Sequence, residues 1–108
     1  MANTFTGLIK CSCGYNYRHV KERGIHKYFC TGYSKKLENG CRERYILPEQ
    51  LLLDLVQIYC NRNKIELIKS NEFMKSIIDK IEIDNHHNIN IYYKNGENGI
   101  YHENEIHI

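Results

Sequence analysis

Residues 11–41, CSCGYNYRHVKERGIHKYFCTGYSKKLENGC, contain four of the five cysteines of this 108-residue chain. The four are Cys11, Cys13, Cys30 and Cys41. Cysteines grouped this closely in a small chain indicate either a metal site or a disulfide framework. The choice between a metal site and disulfides determines in which compartment the protein works and whether its N-terminal half can fold alone.

The residues between the second and third cysteines predict a β-hairpin. Residues 15–20 are rich in β-forming side chains, residues 21–24 have the composition of a turn, and residues 25–30 read as the returning strand. Residues 6–10 predict a short strand that leads into the first cysteine pair. Residues 31–40 are polar and contain two glycines, so they predict a loop.

This hairpin brings its two ends to one point, and the loop returns the chain to the same place. A Zn²⁺ ion takes four such ligands at about 2.3 Å from each sulfur. Gly14 follows the second cysteine, where a metal knuckle needs unusual backbone angles. The pattern predicts a zinc β-ribbon whose ligands are Cys11, Cys13, Cys30 and Cys41. Four thiolates close the coordination shell, so the predicted zinc is structural rather than catalytic.

The spacing of the first pair departs from the usual knuckle. A single residue, Ser12, separates the two cysteines, where two residues are the norm. This leaves open a variant site in which His19 or His26 replaces one thiolate. Reduced core cysteines or disulfides are the remaining alternatives. Cys60, the fifth cysteine, lies in a predicted helix and is expected to be a small buried hydrophobe.

The composition is that of a globular protein, with 42% hydrophobic and 26% charged residues. Residues 1–5 lack the basic start and the apolar run of a signal peptide. The longest apolar stretch, around residues 51–56, is too short to cross a membrane. These features predict a cytoplasmic protein without a membrane partner, in a reducing compartment that favours metal ligation over disulfides.

The net charge of +2 conceals an asymmetry between the two halves. Residues 1–47 hold nine of the fifteen Lys and Arg residues but three acids, whereas residues 48–108 hold six bases and ten acids. A basic half that coincides with the cysteines favours a surface that faces a polyanion. The alternative, an ordinary solvated surface, stays open on charge alone.

The second half predicts two helices and a hairpin. Pro48 opens the first helix, and leucine, valine and tyrosine recur at helical spacing after it. Ser70 starts a second helix, whose predicted buried face is Phe73, Ile77 and Ile78. Alternating strands at residues 81–83 and 89–93 form the hairpin, with Asn95-Gly96 as its closing turn and a loosely ordered tail after it.

The predicted fold is therefore α+β: a small zinc β-ribbon followed by two helices and a C-terminal β-hairpin. The predicted division of the chain is a ribbon at residues 1–47 and a helical support with the hairpin at residues 48–108. The two parts are expected to form one compact unit.

Several of these stretches resemble one family. They are TGLIKCSCG at residues 6–14, the aromatic lead into Cys30, Gly40-Cys41, and ILPEQL at residues 46–51 before a helix. They resemble the recombinase zinc β-ribbon of large serine recombinases, the integrases of phages and mobile elements. Residues 78–96 are similar to the closing hairpin of those proteins, so the resemblance spans roughly residues 5–97.

The resemblance implies a function. Members of the family cut and rejoin DNA through a serine in a separate catalytic domain, and the zinc ribbon binds one end of each attachment half-site. This chain would then be a non-enzymatic, double-stranded DNA-binding part of a longer recombinase that meets other protomers through its parent protein. The basic and histidine residues expected to contact DNA are Arg18, His19, Lys21, Arg23, Lys27, Lys35, Lys36, Arg42 and Arg44.

Two other functions remain open at this point. One is a zinc-stabilised protein-interaction module that docks a partner through its acidic C-terminal half. The other is a small disulfide-linked secreted domain, which the missing signal peptide disfavours.

Overall fold

The computed structural model describes residues 4–35, 38, 40, 45–84 and 86–101 of the chain, and these form three helices and seven strands in two sheets. The helices are α1 (Thr31–Ser34), α2 (Glu49–Arg62) and α3 (Asn71–Ile77). The strands are β1 (Ile9–Cys11), β2 (Tyr17–Glu22), β3 (Ile25–Cys30), β4 (Leu47–Pro48), β5 (Ile78–Ile83), β6 (Ile89–Tyr93) and β7 (Asn98–Tyr101). The predicted α+β class is confirmed.

The hairpin of β2 and β3 forms where the sequence predicts it, but its first strand begins two residues later than predicted and its turn is shorter. Pairing runs from Tyr17 opposite Cys30 to Glu22 opposite Ile25, which leaves a two-residue turn at Arg23-Gly24. Both turn residues have positive φ, 51° and 79°, the requirement of the type I′ turn that matches the right-handed twist of paired strands. Glycine at the second position makes this turn possible at little cost.

The hairpin belongs to a three-stranded sheet with the order β2-β3-β4, in which the short β4 is antiparallel to β3.

The polar segment after Cys30 was predicted as a loop throughout. Instead it begins with the single helical turn α1, which directly follows the last residue of β3. The chain therefore changes direction immediately after the third cysteine.

The first sheet has the order β1-β5-β6-β7 and extends the predicted C-terminal hairpin on both sides. Strand β1 pairs in parallel with β5, so Cys11 lies beside Ile83. The turn at Asn95-Gly96 leads into β7, which pairs antiparallel with β6, so the prediction of a loose tail is wrong for these residues. The division of the chain into a ribbon at residues 1–47 and a support at residues 48–108 stays a prediction. Strand β1 belongs to the first of these segments but lies in the sheet formed by strands of the second.

Helix α2 packs the two sheets onto one hydrophobic core. It begins at Glu49, one residue after the predicted start at Pro48, and buries the stripe that includes Leu52, Val56 and Tyr59. The Tyr59 ring stacks on the Tyr93 ring of β6 with their centroids 3.6 Å apart. Cys60 is fully buried in α2, which confirms its prediction as a small core residue.

Helix α3 begins at the predicted residue. The Ser70 hydroxyl accepts a hydrogen bond from the Phe73 N–H at 3.1 Å, which satisfies one of the free amides of the first turn. Of the predicted buried face, Ile78 is buried whereas Phe73 and Ile77 are half-buried, and the buried residue within the helix is Met74. The helix ends early because Ile78 already belongs to β5.

Replacing Ser70 by alanine is expected to lower the free energy of unfolding by about 1 kcal/mol, because the Phe73 amide loses its acceptor. Urea denaturation measures the change. Ser76→Ala in the same helix is the matched control, since its hydroxyl bonds to the Phe73 carbonyl and caps nothing. Equal losses in the two variants would contradict the capping role of Ser70.

Candidate metal centre and basic hairpin

The first two cysteines lie in a tight turn at the end of β1. The Gly14 N–H donates to the Cys11 carbonyl at 3.0 Å, and the Cys11 N–H donates to the Tyr15 carbonyl at 2.9 Å. Gly14 has φ of 98°, a conformation that side-chain-bearing residues rarely adopt. Because the backbone reverses within these residues, a one-residue spacing is sufficient to bring the sulfurs of Cys11 and Cys13 together.

This turn is anchored to both sheets. The Ser12 N–H donates to the Ile83 carbonyl at the end of β5, at 2.9 Å. Lys10 and Asn16 form an isolated antiparallel bridge on either side of the turn. The Asn16 carbonyl also accepts from the backbone N–H and the hydroxyl of Thr31, at 3.0 and 2.9 Å. The first cysteine turn is thereby tied to the residue that follows Cys30.

The third cysteine ends β3 and lies against the first residues of α1. The backbone N–H groups of Gly32 and Tyr33 form hydrogen bonds with its sulfur. Amide groups aimed at a sulfur stabilise the thiolate form and orient it toward a cation. The turn after Cys30 is therefore suited to hold a metal-bound thiolate.

The three sulfurs form a compact cluster. The Sγ atoms of Cys11, Cys13 and Cys30 all lie within 4.8 Å of one another, and those of Cys13 and Cys30 are 3.4 Å apart. Two thiolates on one tetrahedral zinc ion are separated by about 3.8 Å, from Zn–S bonds of about 2.3 Å. The spacing of these sulfurs therefore fits a single metal ion, and the three cysteines can hold one.

The cluster is an unfavourable place for thiolates without a cation. Burial raises the pKa of the Cys30 thiol, and its contact with the Cys13 sulfur raises it further, against the lowering effect of the two amides. A metal ion reverses this balance, because it binds the deprotonated sulfur and supplies the positive charge that burial removes. Cys11, Cys13, Cys30 and Cys60 are all thiols rather than disulfide halves.

The fourth predicted ligand, Cys41, lies outside the described residues. Its neighbour Gly40 packs directly on Gly32, which donates to the Cys30 sulfur. A Cβ atom on Gly40 would lie 2.6 Å from the Gly32 carbonyl oxygen, and one on Gly32 would lie 2.9 Å from the Gly40 Cα. This close backbone contact requires glycine at both positions and places the residue before Cys41 next to the cluster.

Neither histidine considered as a replacement ligand joins the three sulfurs among the described residues. His19 and His26 instead contact each other, with 3.0 Å between His19 Nε2 and His26 Nδ1. The length of the hairpin turn could have predicted this contact between the two histidines. A two-residue turn at Arg23-Gly24 places residues 19 and 26 diagonally on one face of the hairpin.

The candidate DNA-contacting residues divide between the two faces of the hairpin. The outer face carries Arg18 and Lys27, with Lys27 paired to Glu22 at 3.4 Å. Lys21 lies on the opposite face beside His26, and Arg23 is in the turn. Arg18, Lys21 and Arg23 are exposed, and so is Lys35 after α1. The others, Lys36, Arg42 and Arg44, lie outside the described residues.

The core side of the hairpin contains a buried polar network that the sequence did not indicate. The Tyr28 hydroxyl donates to Glu49 Oε1 of α2 at 2.8 Å and accepts from the Phe5 N–H at 3.0 Å. Tyr28 is fully buried and Glu49 is 8% exposed. A glutamate in the first turn of a helix is expected to be exposed to solvent. The sequence therefore does not indicate that Glu49 is bonded to Tyr28, which the position of β3 brings next to it. This network fixes the hairpin on α2.

Comparison with protein-family models, curated proteins and solved structures finds no match to this chain.

Within the described part of the chain, no helix combines the length and apolar character needed to span a membrane.

Proposed function

We propose that Cys11, Cys13 and Cys30, together with Cys41, hold a structural Zn²⁺ ion. The three described sulfurs have the spacing of ligands on one ion, and an all-thiolate set favours zinc among common structural metals. The contact between Gly40 and Gly32 supports Cys41 as the fourth ligand. The next described residue after Cys41 is Tyr45. Its ring stacks on the ring of His87, which lies in the turn after β5, with centroids 4.1 Å apart. With four thiolates the ion has no open position for chemistry.

We further propose that the hairpin of β2 and β3 binds double-stranded DNA. The observation that carries this proposal is a hairpin joined to the thiol cluster at one end and two-stranded beyond its pairing with β4. Its exposed side chains include Arg18, Lys21 and Arg23. Two-stranded ribbons have the dimensions of a major groove. Arg18 on the outer face, and Lys21 and Arg23 at the turn end of the hairpin, are cations that phosphates can reach.

In this proposal the chain is the DNA-binding part of a site-specific serine recombinase, as its resemblance to the zinc β-ribbon of that family implies. It would bind one end of an attachment half-site, and other protomers would associate through the parent protein. The thiolate cluster stiffens the base of the hairpin, and the chain itself needs no catalytic residue. Half-buried Val20 and Phe29 and exposed Ile25 on the outer face provide apolar surface for thymine methyl groups.

Binding to a fluorescent duplex is expected to weaken steeply as salt rises. With about three phosphate contacts, the affinity should fall about 40-fold between about 50 and about 200 mM salt. The triple variant Arg18→Glu/Lys21→Glu/Arg23→Glu should weaken binding at low salt by at least about tenfold, because each reversal replaces attraction to phosphate by repulsion. Fluorescence anisotropy measures both effects.

The matched control is Lys64→Glu/Lys69→Glu/Lys94→Glu, which makes the same change in net charge at exposed positions of the C-terminal half. This control should bind DNA nearly as the unmodified chain does. Equal losses in both triple variants would show a general charge effect and contradict the hairpin as the binding element. Salt-insensitive binding, or hairpin reversals that leave binding intact, would favour the protein-interaction alternative. Selection from a random duplex pool should enrich one motif if the chain recognises an attachment site.

A further inference from the structure

The histidine pair of the hairpin is a second cluster of metal-binding side chains, separate from the cysteines. His19 pairs with Tyr28 across the strands and His26 pairs with Lys21, so the two histidines are diagonal neighbours on one face. Their rings are nearly parallel, with an interplanar angle of 19° and centroids 5.2 Å apart. Both side chains are half-buried and therefore reachable from solvent.

The separation of the two nitrogens is close to that of two ligands on one metal ion. His19 Nε2 and His26 Nδ1 are 3.0 Å apart. Two imidazole nitrogens at about 2.0–2.1 Å from a tetrahedral ion are about 3.3–3.4 Å apart. A small widening of the pair therefore makes room for an ion between rings that are already adjacent, on strands whose register is fixed by the turn.

The surroundings of His19 favour its neutral form, which is the form that binds a metal. Burial is the main cause that lowers the pKa of His19, and the His26 ring and Lys21 lower it further. The carboxylate of Glu49 acts on His19 in the opposite direction, which places a negative charge near the pair. The ring of Tyr28 covers one side of His19, with centroids 5.5 Å apart.

We propose that His19 Nε2 and His26 Nδ1 form a bidentate site for a divalent ion of the Zn²⁺, Ni²⁺ or Cu²⁺ class, distinct from the thiolate cluster. Imidazole nitrogen suits these ions. Water completes the coordination shell, because the pair is open to solvent on one side.

Metal binding at this pair requires a tautomer change but no net release of protons. In the metal-free pair one of the two contacting nitrogens carries a hydrogen and donates it to the other. When the ion binds, that ring must carry its hydrogen on its other nitrogen. Both contacting nitrogens then present lone pairs to the metal.

If this site exists, the chain binds a second equivalent of metal more weakly than the equivalent held by the cysteines. Zn²⁺ is titrated into the full chain already loaded with one equivalent, and the imidazole nitrogens are followed by long-range ¹H–¹⁵N NMR. We expect His19 Nε2 and His26 Nδ1 to shift to metal-bound values during the second equivalent, while His86 in the β5–β6 turn does not. Unchanged resonances of these two nitrogens through a large excess of zinc would overturn the proposal.

A variant arm tests the same site by affinity. His19→Asn/His26→Asn should weaken the second equivalent at least about tenfold in calorimetry, whereas the control His86→Asn should leave it unchanged. A second equivalent bound by the double variant as by the unmodified chain would overturn the proposal. If the double variant does not fold, the NMR result on the unmodified chain decides. Because the readout is at the histidine nitrogens, it is independent of DNA binding and of the cysteines.

Discussion

Replacing Cys30 by serine is expected to abolish binding of the structural metal ion and to unfold the region around the cysteine turns. Cys30 is buried, receives two amide hydrogen bonds at its sulfur and contacts the Cys13 sulfur. Structural zinc supplies about 10–16 kcal/mol of apparent binding free energy. That is as large as the whole stability of a typical domain, about 5–15 kcal/mol. Elemental analysis of the purified protein and the near-ultraviolet circular dichroism of the tyrosines measure the loss.

Cys60→Ala is the matched control for this experiment. Cys60 is equally buried, but it lies in α2 and is not one of the three clustered sulfurs. The Cys60→Ala variant should keep its metal ion and lose about 1 kcal/mol in free energy of unfolding, because the substitution leaves a small cavity. A Cys30→Ser variant that retains a full equivalent of metal and the unfolding temperature of the unmodified chain would contradict the proposed centre.

Replacing Tyr28 by phenylalanine is expected to lower the free energy of unfolding by about 2–6 kcal/mol. The substitution removes one hydroxyl but leaves two polar groups without their partner, the Phe5 N–H and the Glu49 carboxylate. An unsatisfied buried group costs about 1–3 kcal/mol, and a charged one costs more. Urea denaturation at neutral pH measures the change.

Tyr93→Phe is the control, because it removes a buried hydroxyl that has no hydrogen-bond partner among the described residues. This variant should be as stable as the unmodified chain or slightly more stable. A loss at Tyr93 that equals the loss at Tyr28 would mean that the substitution acts through packing rather than through the network.

The same network affects stability at alkaline pH. Burial is the main cause that raises the pKa of Tyr28 well above the ordinary tyrosine value of 10.0, and the neighbouring Glu49 raises it further. As pH rises above about 10, the unfolded chain loses its tyrosine protons first, so the free energy of unfolding falls. The fall continues toward the higher pKa of the folded state. Tyr28→Phe should make this decrease shallower, while Tyr93, whose pKa burial also raises, maintains part of it.

Local features of the structure were largely predictable. Ser70 forms the expected N-cap of α3, and α2 begins one residue after the predicted start at Pro48. The Arg23-Gly24 turn lies inside the predicted turn and is two residues shorter. These features depend on the conformational preferences of a few adjacent residues, which the sequence states directly.

Features that depend on contacts between distant residues were less predictable. No local pattern indicates that β1 pairs with β5, across an interval of roughly seventy residues, or that β7 continues the sheet. The polar residues of β7 read as a tail because an edge strand can be stabilised by its ladder of hydrogen bonds without a buried face.

The sequence by itself determined the α+β class, the hairpin between Cys13 and Cys30, and the thiols that are available to a metal. Cysteine spacing and alternation are properties of the chain and survive in any packing. Only the tertiary structure decided that Cys11, Cys13 and Cys30 converge while His19 and His26 pair with each other. The reason is physical: the sharp turn at Gly14 and the strand register set the positions of these side chains in space, and both are stabilised by contacts with residues far away in the sequence.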